Sequence, residues 1–305
     1  MEHIMGEDFN ILAWLLMIAG VAIHRIEAIS IKKYNEKHGK GGFIFTAILS
    51  FVAMLFFIVK DIIADPSGLN FTLDLVMLGL LGGICYASAS YLTFVATGCG
   101  PFVLTSLFLS YTVLVSIGYG LFIGEPATVF TYIGIALILL SLFFIRAEKK
   151  EGKGVKITLK WVLCIIASFV GSGALSVLMK YQQIRFNMVY DSEFMIIVLG
   201  FSAVSMFIIG IIKDRKNLGY IFRHGTPYAA IAGVANGATN VLNLAVNGMI
   251  PLVFAAPVRS GLKIVISFLV SRFLFGEKLS KRQIVGVVLG MLALIALAIP
   301  DPATW

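Results

Sequence analysis

The sequence predicts an all-α membrane protein: ten transmembrane helices arranged as two inverted five-helix repeats. Three observations predict it. Of 305 residues, 59% are hydrophobic and only 13% are charged, against about 25% charged in a soluble domain. The apolar residues fall in runs of roughly twenty, the length at which a helix crosses a bilayer. The strict alternation of a transmembrane β-barrel is missing. Finally, the two halves of the chain align with one another.

The predicted spans are 10–31, 42–60, 72–96, 101–122, 127–145, 158–180, 194–212, 227–247, 251–275 and 281–299. They break at polar or Pro/Gly sites such as 64–68 and 124–126. The first ten residues carry no Lys or Arg, so they lack the basic start of a cleavable signal peptide and the first span should be retained. Lys149, Lys150, Lys153 and Lys156 mark a hydrophilic linker at 149–157, between a first repeat at 1–148 and a second at 158–305. No low-complexity segment interrupts them.

The loops after spans one, five, seven and nine, with their flanks, hold most of the 24 lysines and arginines, and the opposite side holds Lys60, Lys180 and Arg185. Cytoplasmic loops carry the excess of Lys and Arg. This predicts a multi-pass cell-membrane protein with the 146–160 link in the cytoplasm and both termini outside. The net charge of +8 is then loop charge and implies no nucleic-acid partner, because no basic stripe with interleaved aromatics lies outside the apolar runs. Cys85, Cys99 and Cys164 lie in or beside apolar runs without metal-ligand spacing, and read as small packing residues.

The repeat is visible in ordered matches. Trp14, Lys33 and Tyr34 match Trp161, Lys180 and Tyr181 at an offset of 147. Gly83, Leu92, Gly98 and Pro101 match Gly233, Leu242, Gly248 and Pro251 at 150; Gly124, Glu125 and Gly134 match Gly276, Glu277 and Gly286 at 152. An odd number of helices per half forces the second half to enter the membrane inverted. That architecture is common in secondary transporters, with the site near the bilayer midplane.

Each half closes on a Pro-initiated helix, a Gly-Glu turn and a Gly-containing apolar helix, at 101–140 and 251–294. This pattern resembles the duplicated EamA-type domain of the drug/metabolite transporter superfamily, over nearly the whole chain. The second copy is the nearer match: the first lacks a counterpart to Pro257 and has Pro126 in place of Lys278. The resemblance implies a carrier or exporter of small metabolites and leaves the substrate open.

Asn236, Asn240, Asn243 and Asn247 are spaced to share one face of the eighth span. Amides facing lipid without partners would be costly, so the ridge should face protein or water. Its repeat mates are Tyr86, Ser90, Thr93 and Thr97. In the ninth span Arg259 and Lys263 also share a face, and a central cation costs about 2.5–3.5 kcal/mol on insertion scales. The pair would attract a carboxylate or phosphate, or form an internal salt bridge. Tyr111, midway along the fourth span, is a candidate for lining the path or for packing. In the first span, His24 and Glu27 lie three residues apart. Glu27 would either neutralise Arg259 or Lys263, or titrate in proton-coupled exchange. Arg25 reads as reaching toward headgroup phosphates. Glu125 and Glu277 read as helix caps, and Gly120/Gly124, Gly233/Gly237 and Gly286/Gly290 as pairs that let helices approach.

The expected site therefore comprises Asn236, Asn240, Asn243, Arg259, Lys263, Tyr86, Ser90 and Tyr111, between spans three, four, eight and nine, with Glu27 and His24 of span one for coupling. No nucleophile with an adjacent base, paired metal ligands or P-loop appears. The chain is expected to be no enzyme and to need no cofactor or metal. It reads as a secondary transporter of a small metabolite, with an anion favoured by the paired cations, acting by alternating access as monomer or homodimer. A lipid or lipid-linked-sugar flippase and a non-catalytic membrane subunit are the alternatives.

Overall fold

The computed structural model describes residues 2–64, 69–122, 129–145, 158–187, 189–249, 252–276 and 281–297. Their secondary structure is helical throughout: α1 (Glu2–Lys37), α2 (Gly42–Ala64), α3 (Leu73–Cys99), α4 (Phe102–Ser110), α5 (Val113–Phe122), α6 (Val129–Ile145), α7 (Leu159–Arg185), α8 (Asp191–Lys213), α9 (Leu218–His224), α10 (Thr226–Met249), α11 (Leu252–Leu274) and α12 (Lys281–Leu297). Seven stretches are long and apolar enough to cross a membrane. They lie in α1, α2, α3, α7, α8 and α10 and across α4 and α5. Tyr132–Ser141 and Ile284–Ala296 are shorter apolar helices. Arg259, Lys263 and Arg272 interrupt the apolar character of α11. The link at 149–157, together with Glu125, Glu277, Gly124, Pro126, Pro251 and Lys278, lies outside the described residues, as do the side chains of Asn247, Gly120, Gly248 and Pro257.

Three boundaries differ from expectation. First, α1 continues to Lys37 and places Lys32, expected in a loop, at 8% exposure. The Lys32 ammonium donates to the Thr97 carbonyl at 3.4 Å and lies 3.9 Å from Glu36. Second, the loop after α8 contains a 3₁₀ turn and α9. Third, the predicted span 101–122 is broken at Tyr111–Thr112. There Tyr111, Leu114 and Val115 donate backward over three residues, to Phe108, Tyr111 and Thr112. Neither Pro nor Gly stands at the break. Instead the hydroxyls of Thr105, Ser110 and Thr112 donate to the backbone carbonyls of Pro101, Ser106 and Leu109, and such back-bonding bends helices.

The chain divides into two compact units. One contains residues 1–22, 99–162 and 242–305, and the other residues 23–98 and 163–241.

In the second unit, α2 and α8 pack as an antiparallel pair. Near the start of α2, the Ile44 amide donates to Asp214, just past the end of α8 (3.4 Å). Midway, the hydroxyls of Ser50 and Ser202 meet at 2.9 Å. At the far end, Lys60 donates to Ser192, in the first turn of α8 (2.8 Å). Both serines are fully buried; each removes the penalty the other would pay alone. Glycines seat the neighbouring helices on this pair. A Cβ on Gly83 of α3 would lie 2.8 Å from Phe201 of α8, and one on Gly233 of α10 would lie 2.7 Å from the Leu49 carbonyl of α2. The α1–α2 turn uses Gly39 and Gly41 at φ +57° and +70°, a region open to glycine at little cost. Gly41 also has Ile221 of α9 pressed against it, leaving no room for a side chain.

In the first unit α6 packs on α12, and α11 packs on α4 and α12. Ser141 of α6 donates to the Gly286 carbonyl of α12 at 2.7 Å. Trp161 lies 1% exposed against Gly100 and donates through Nε1 to Thr105 at 3.0 Å.

Candidate functional site

The sequence-predicted residues fall into both units, and each group is built separately.

In the second unit, α1, α3 and α10 bring six of them into one hydrogen-bonded network. The Glu27 carboxylate accepts from Asn236 Nδ2 at 3.2 and 3.1 Å. His24 Nδ1 lies 3.1 Å from Glu27 Oε2. Asn236 Oδ1 accepts from the Tyr86 hydroxyl at 3.1 Å and from Asn240 Nδ2 at 3.0 Å. Tyr86 also bonds the Ser90 side chain. Asn236 and Tyr86 are 8% and 7% exposed. Arg25, which is buried, acts electrostatically on Glu27; it does not stand at the surface where a headgroup contact would put it.

Chemically, this network holds one acid whose oxygens are served by an amide and an imidazole. An amide turns its donor to the carboxylate and its acceptor to a phenol and a second amide. Buried networks of this kind are conformationally specific because each member is satisfied only in one arrangement.

In the first unit Arg259, 8% exposed, donates through Nη1 to Asn243 Oδ1 at 2.9 Å. Gly20 of α1 lies beside this pair: a Cβ there would be 4.0 Å from Asn243 Oδ1. Lys263 is half-buried, one turn further along α11, and its carbonyl accepts from Ser267 at 2.6 Å. Tyr111 is 2% exposed and its hydroxyl shares a hydrogen bond with Ser141 at 2.7 Å. It therefore ties the break between α4 and α5 to the Ser141–Gly286 contact.

Sequence reading missed Ser168, whose hydroxyl donates to the Ala89 carbonyl at 3.0 Å and meets Thr93 at 2.6 Å. It also missed the Ser50–Ser202 pair. A single serine in an apolar run gives no spacing signal. Among the described residues no group of three or more His, Cys, Asp or Glu is placed to hold a metal, and Cys85, Cys99 and Cys164 form no disulfide.

These helices and buried polar groups define a multi-pass membrane protein. Residues 159–299 match the EamA-like transporter family, which is part of the drug/metabolite transporter superfamily. A solved crystal structure is similar over 93% of this chain and 95% of its own, with a TM-score of 0.59 and 13% identity. That is a likeness of fold alone. No curated protein matches the sequence.

Proposed function

We propose that the protein is a secondary transporter that moves a small metabolite across the cytoplasmic membrane by alternating access, through ten spans built as two inverted repeats. The observation that carries this reading is the hydrogen bond between Tyr86 and Asn236, residues that sequence alignment of the halves pairs at an offset of 150. A residue that touches its own repeat mate stands near the pseudo-two-fold axis, where an inverted-repeat carrier places its site.

Further contacts support the inversion. Repeat-equivalent helices α2 and α8 run antiparallel, from Ile44–Asp214 through Ser50–Ser202 to Lys60–Ser192. The glycine contacts are reciprocal: α3 seats on α8 through Gly83, and α10 seats on α2 through Gly233.

In this reading Asn236, Asn240, Tyr86 and Ser90 contact the solute, and Glu27 with His24 couples its movement to a proton. Arg259, Lys263 and Asn243 supply the attraction for an anionic group, and Tyr111 acts at the helix break. The basic end of the second unit faces the cytoplasm, and both termini face outward. Chemistry on the solute has no support from the network, which holds no nucleophile beside a base.

The test is counterflow in proteoliposomes, with radiolabelled carboxylates, phosphates and cationic amines compared side by side. Anion exchange that falls at least tenfold in Lys263→Ala supports the reading. Unchanged anion exchange in that variant removes the anionic substrate, and no exchange of any solute removes the transporter.

A further inference from the structure

Between α8 and α10 the chain makes a 3₁₀ turn, Arg215–Asn217, and then α9, Leu218–His224. This segment has two unlike faces. Ile221 is 0% exposed and pressed against Gly41 of the α1–α2 turn. Its neighbours Tyr220 and Phe222 are 41% and 46% exposed. Lys213, Arg215, Lys216 and Arg223 are exposed as well. The acid between them, Asp214, is turned away into the start of α2, where it accepts from the amides of Phe43 and Ile44.

The segment is fixed in place. His38 Nδ1 stands 2.7 Å from the Tyr220 hydroxyl, and the Lys40 ammonium lies over the Tyr220 ring at 5.8 Å. It also lies at the level where spans end. α1 stops at Lys37, α2 starts at Gly42, α8 stops at Lys213 and α10 starts at Thr226. Chain joining the ends of membrane spans sits at the bilayer boundary. The opposite end of the same unit is different: Lys60 is paired with Asp61, and Asp191 and Glu193 open α8.

We propose that residues 213–223 form a docking surface for anionic phospholipid headgroups, with Tyr220 and Phe222 entering the interface and the four cations meeting lipid phosphates. Tyr is enriched at headgroup level because its ring is amphipathic, and Phe occupies the apolar face of segments that lie in the interface. Clusters of four or more cations beside a span bind anionic lipid at about 1 kcal/mol per Lys or Arg, which is about fivefold in affinity each. The surface is independent of the transport reading, because none of its residues belongs to the Glu27–Asn236 network or the Arg259 pair.

The full chain in nanodiscs of phosphatidylcholine with increasing phosphatidylglycerol tests it, read by thermal unfolding and by amide exchange over 213–224. Phosphatidylglycerol should raise the midpoint and slow exchange in this segment. Arg223→Gln and Lys216→Gln should each raise the phosphatidylglycerol fraction for half-maximal effect about fivefold. Combined Lys60→Gln and Lys180→Gln, near the ends of α2 and α7, should leave it unchanged. Equal protection in all variants overturns the proposal. So does equal protection by inorganic phosphate in pure phosphatidylcholine, which would mark a site for soluble anions. If a variant does not purify, wild-type protection that survives 0.5 M salt overturns it equally.

Discussion

Asn236 accepts from Tyr86 at 3.1 Å and donates to Glu27 at 3.1 and 3.2 Å, so one amide joins α3 to α1 through α10. Every polar atom in this link lies on a membrane helix. Removing the amide takes one partner from each of the others, leaving Glu27 with His24 and Tyr86 with Ser90.

Asn236→Ala should therefore cost more than a single membrane hydrogen bond, which averages about 0.6 kcal/mol. It takes a donor from the Glu27 carboxylate and an acceptor from the Tyr86 hydroxyl at once, and we expect a loss of about 1–3 kcal/mol. Tyr86→Phe removes one donor without stranding a charge, and should cost about 0.6 kcal/mol. Thermal unfolding in detergent, run on both variants, checks the order. Equal losses would mean that the amide is not the hub.

Close helix approach should be as demanding as the polar link. Gly233→Val meets the Leu49 carbonyl and Val52, and overpacking costs typically 1–3 kcal/mol. Gly118→Ala, in α5, has nothing within 4 Å of the new carbon and should be neutral or slightly stabilising. Expression and unfolding midpoints of the two variants give the comparison.

Asp214 makes a pH prediction with a definite sign. Burial raises its carboxyl above the ordinary value of 3.8, outweighing the amides of Phe43 and Ile44, which lower it. A carboxyl raised by folding favours the folded state below pH 3.8 and loses that contribution as pH rises through its folded value. Wild type should therefore gain stability relative to Asp214→Asn as pH falls from 7 toward 3.5. A difference that is flat, or that runs the other way, would mean that the amide bonds dominate.

The break between α4 and α5 should respond to the hydroxyls beside it. Ser110→Ala with Thr112→Ala removes two bonds to the backbone carbonyls of Ser106 and Leu109. Amide exchange at Tyr111 and Thr112 should slow as regular helix bonds replace the turn. Unchanged exchange would place the cause of the break in packing instead.

Much of this was readable in the chain because a bilayer punishes polar groups. Glu27 and the Asn236–Asn240 ridge stand out in apolar runs, and the structure joins them. The Arg259–Asn243 contact combines two residues that sequence had placed on separate helices of one site. The break at Tyr111 was not readable from Pro or Gly, and only the hydroxyls of Ser110 and Thr112 signal it. Lys32 looked like loop charge because hydropathy ended the first span at 31. Its long stem lets the ammonium reach the Thr97 carbonyl from a buried position. The pairing of Ser50 with Ser202 was not readable, because their separation of 152 does not follow the register of 147 to 150 set by the matches on either side.

The central claim is that Asn240, bonded to Asn236, lines a compartment that opens to each side of the membrane in turn. Asn240→Cys, in a background with Cys85, Cys99 and Cys164 replaced by Ala, can be challenged with a membrane-impermeant thiol reagent added inside or outside sealed vesicles. The account predicts labelling from both sides, with saturating solute changing the ratio between them. No labelling from either side, or labelling from one side only that solute leaves unchanged, would contradict it.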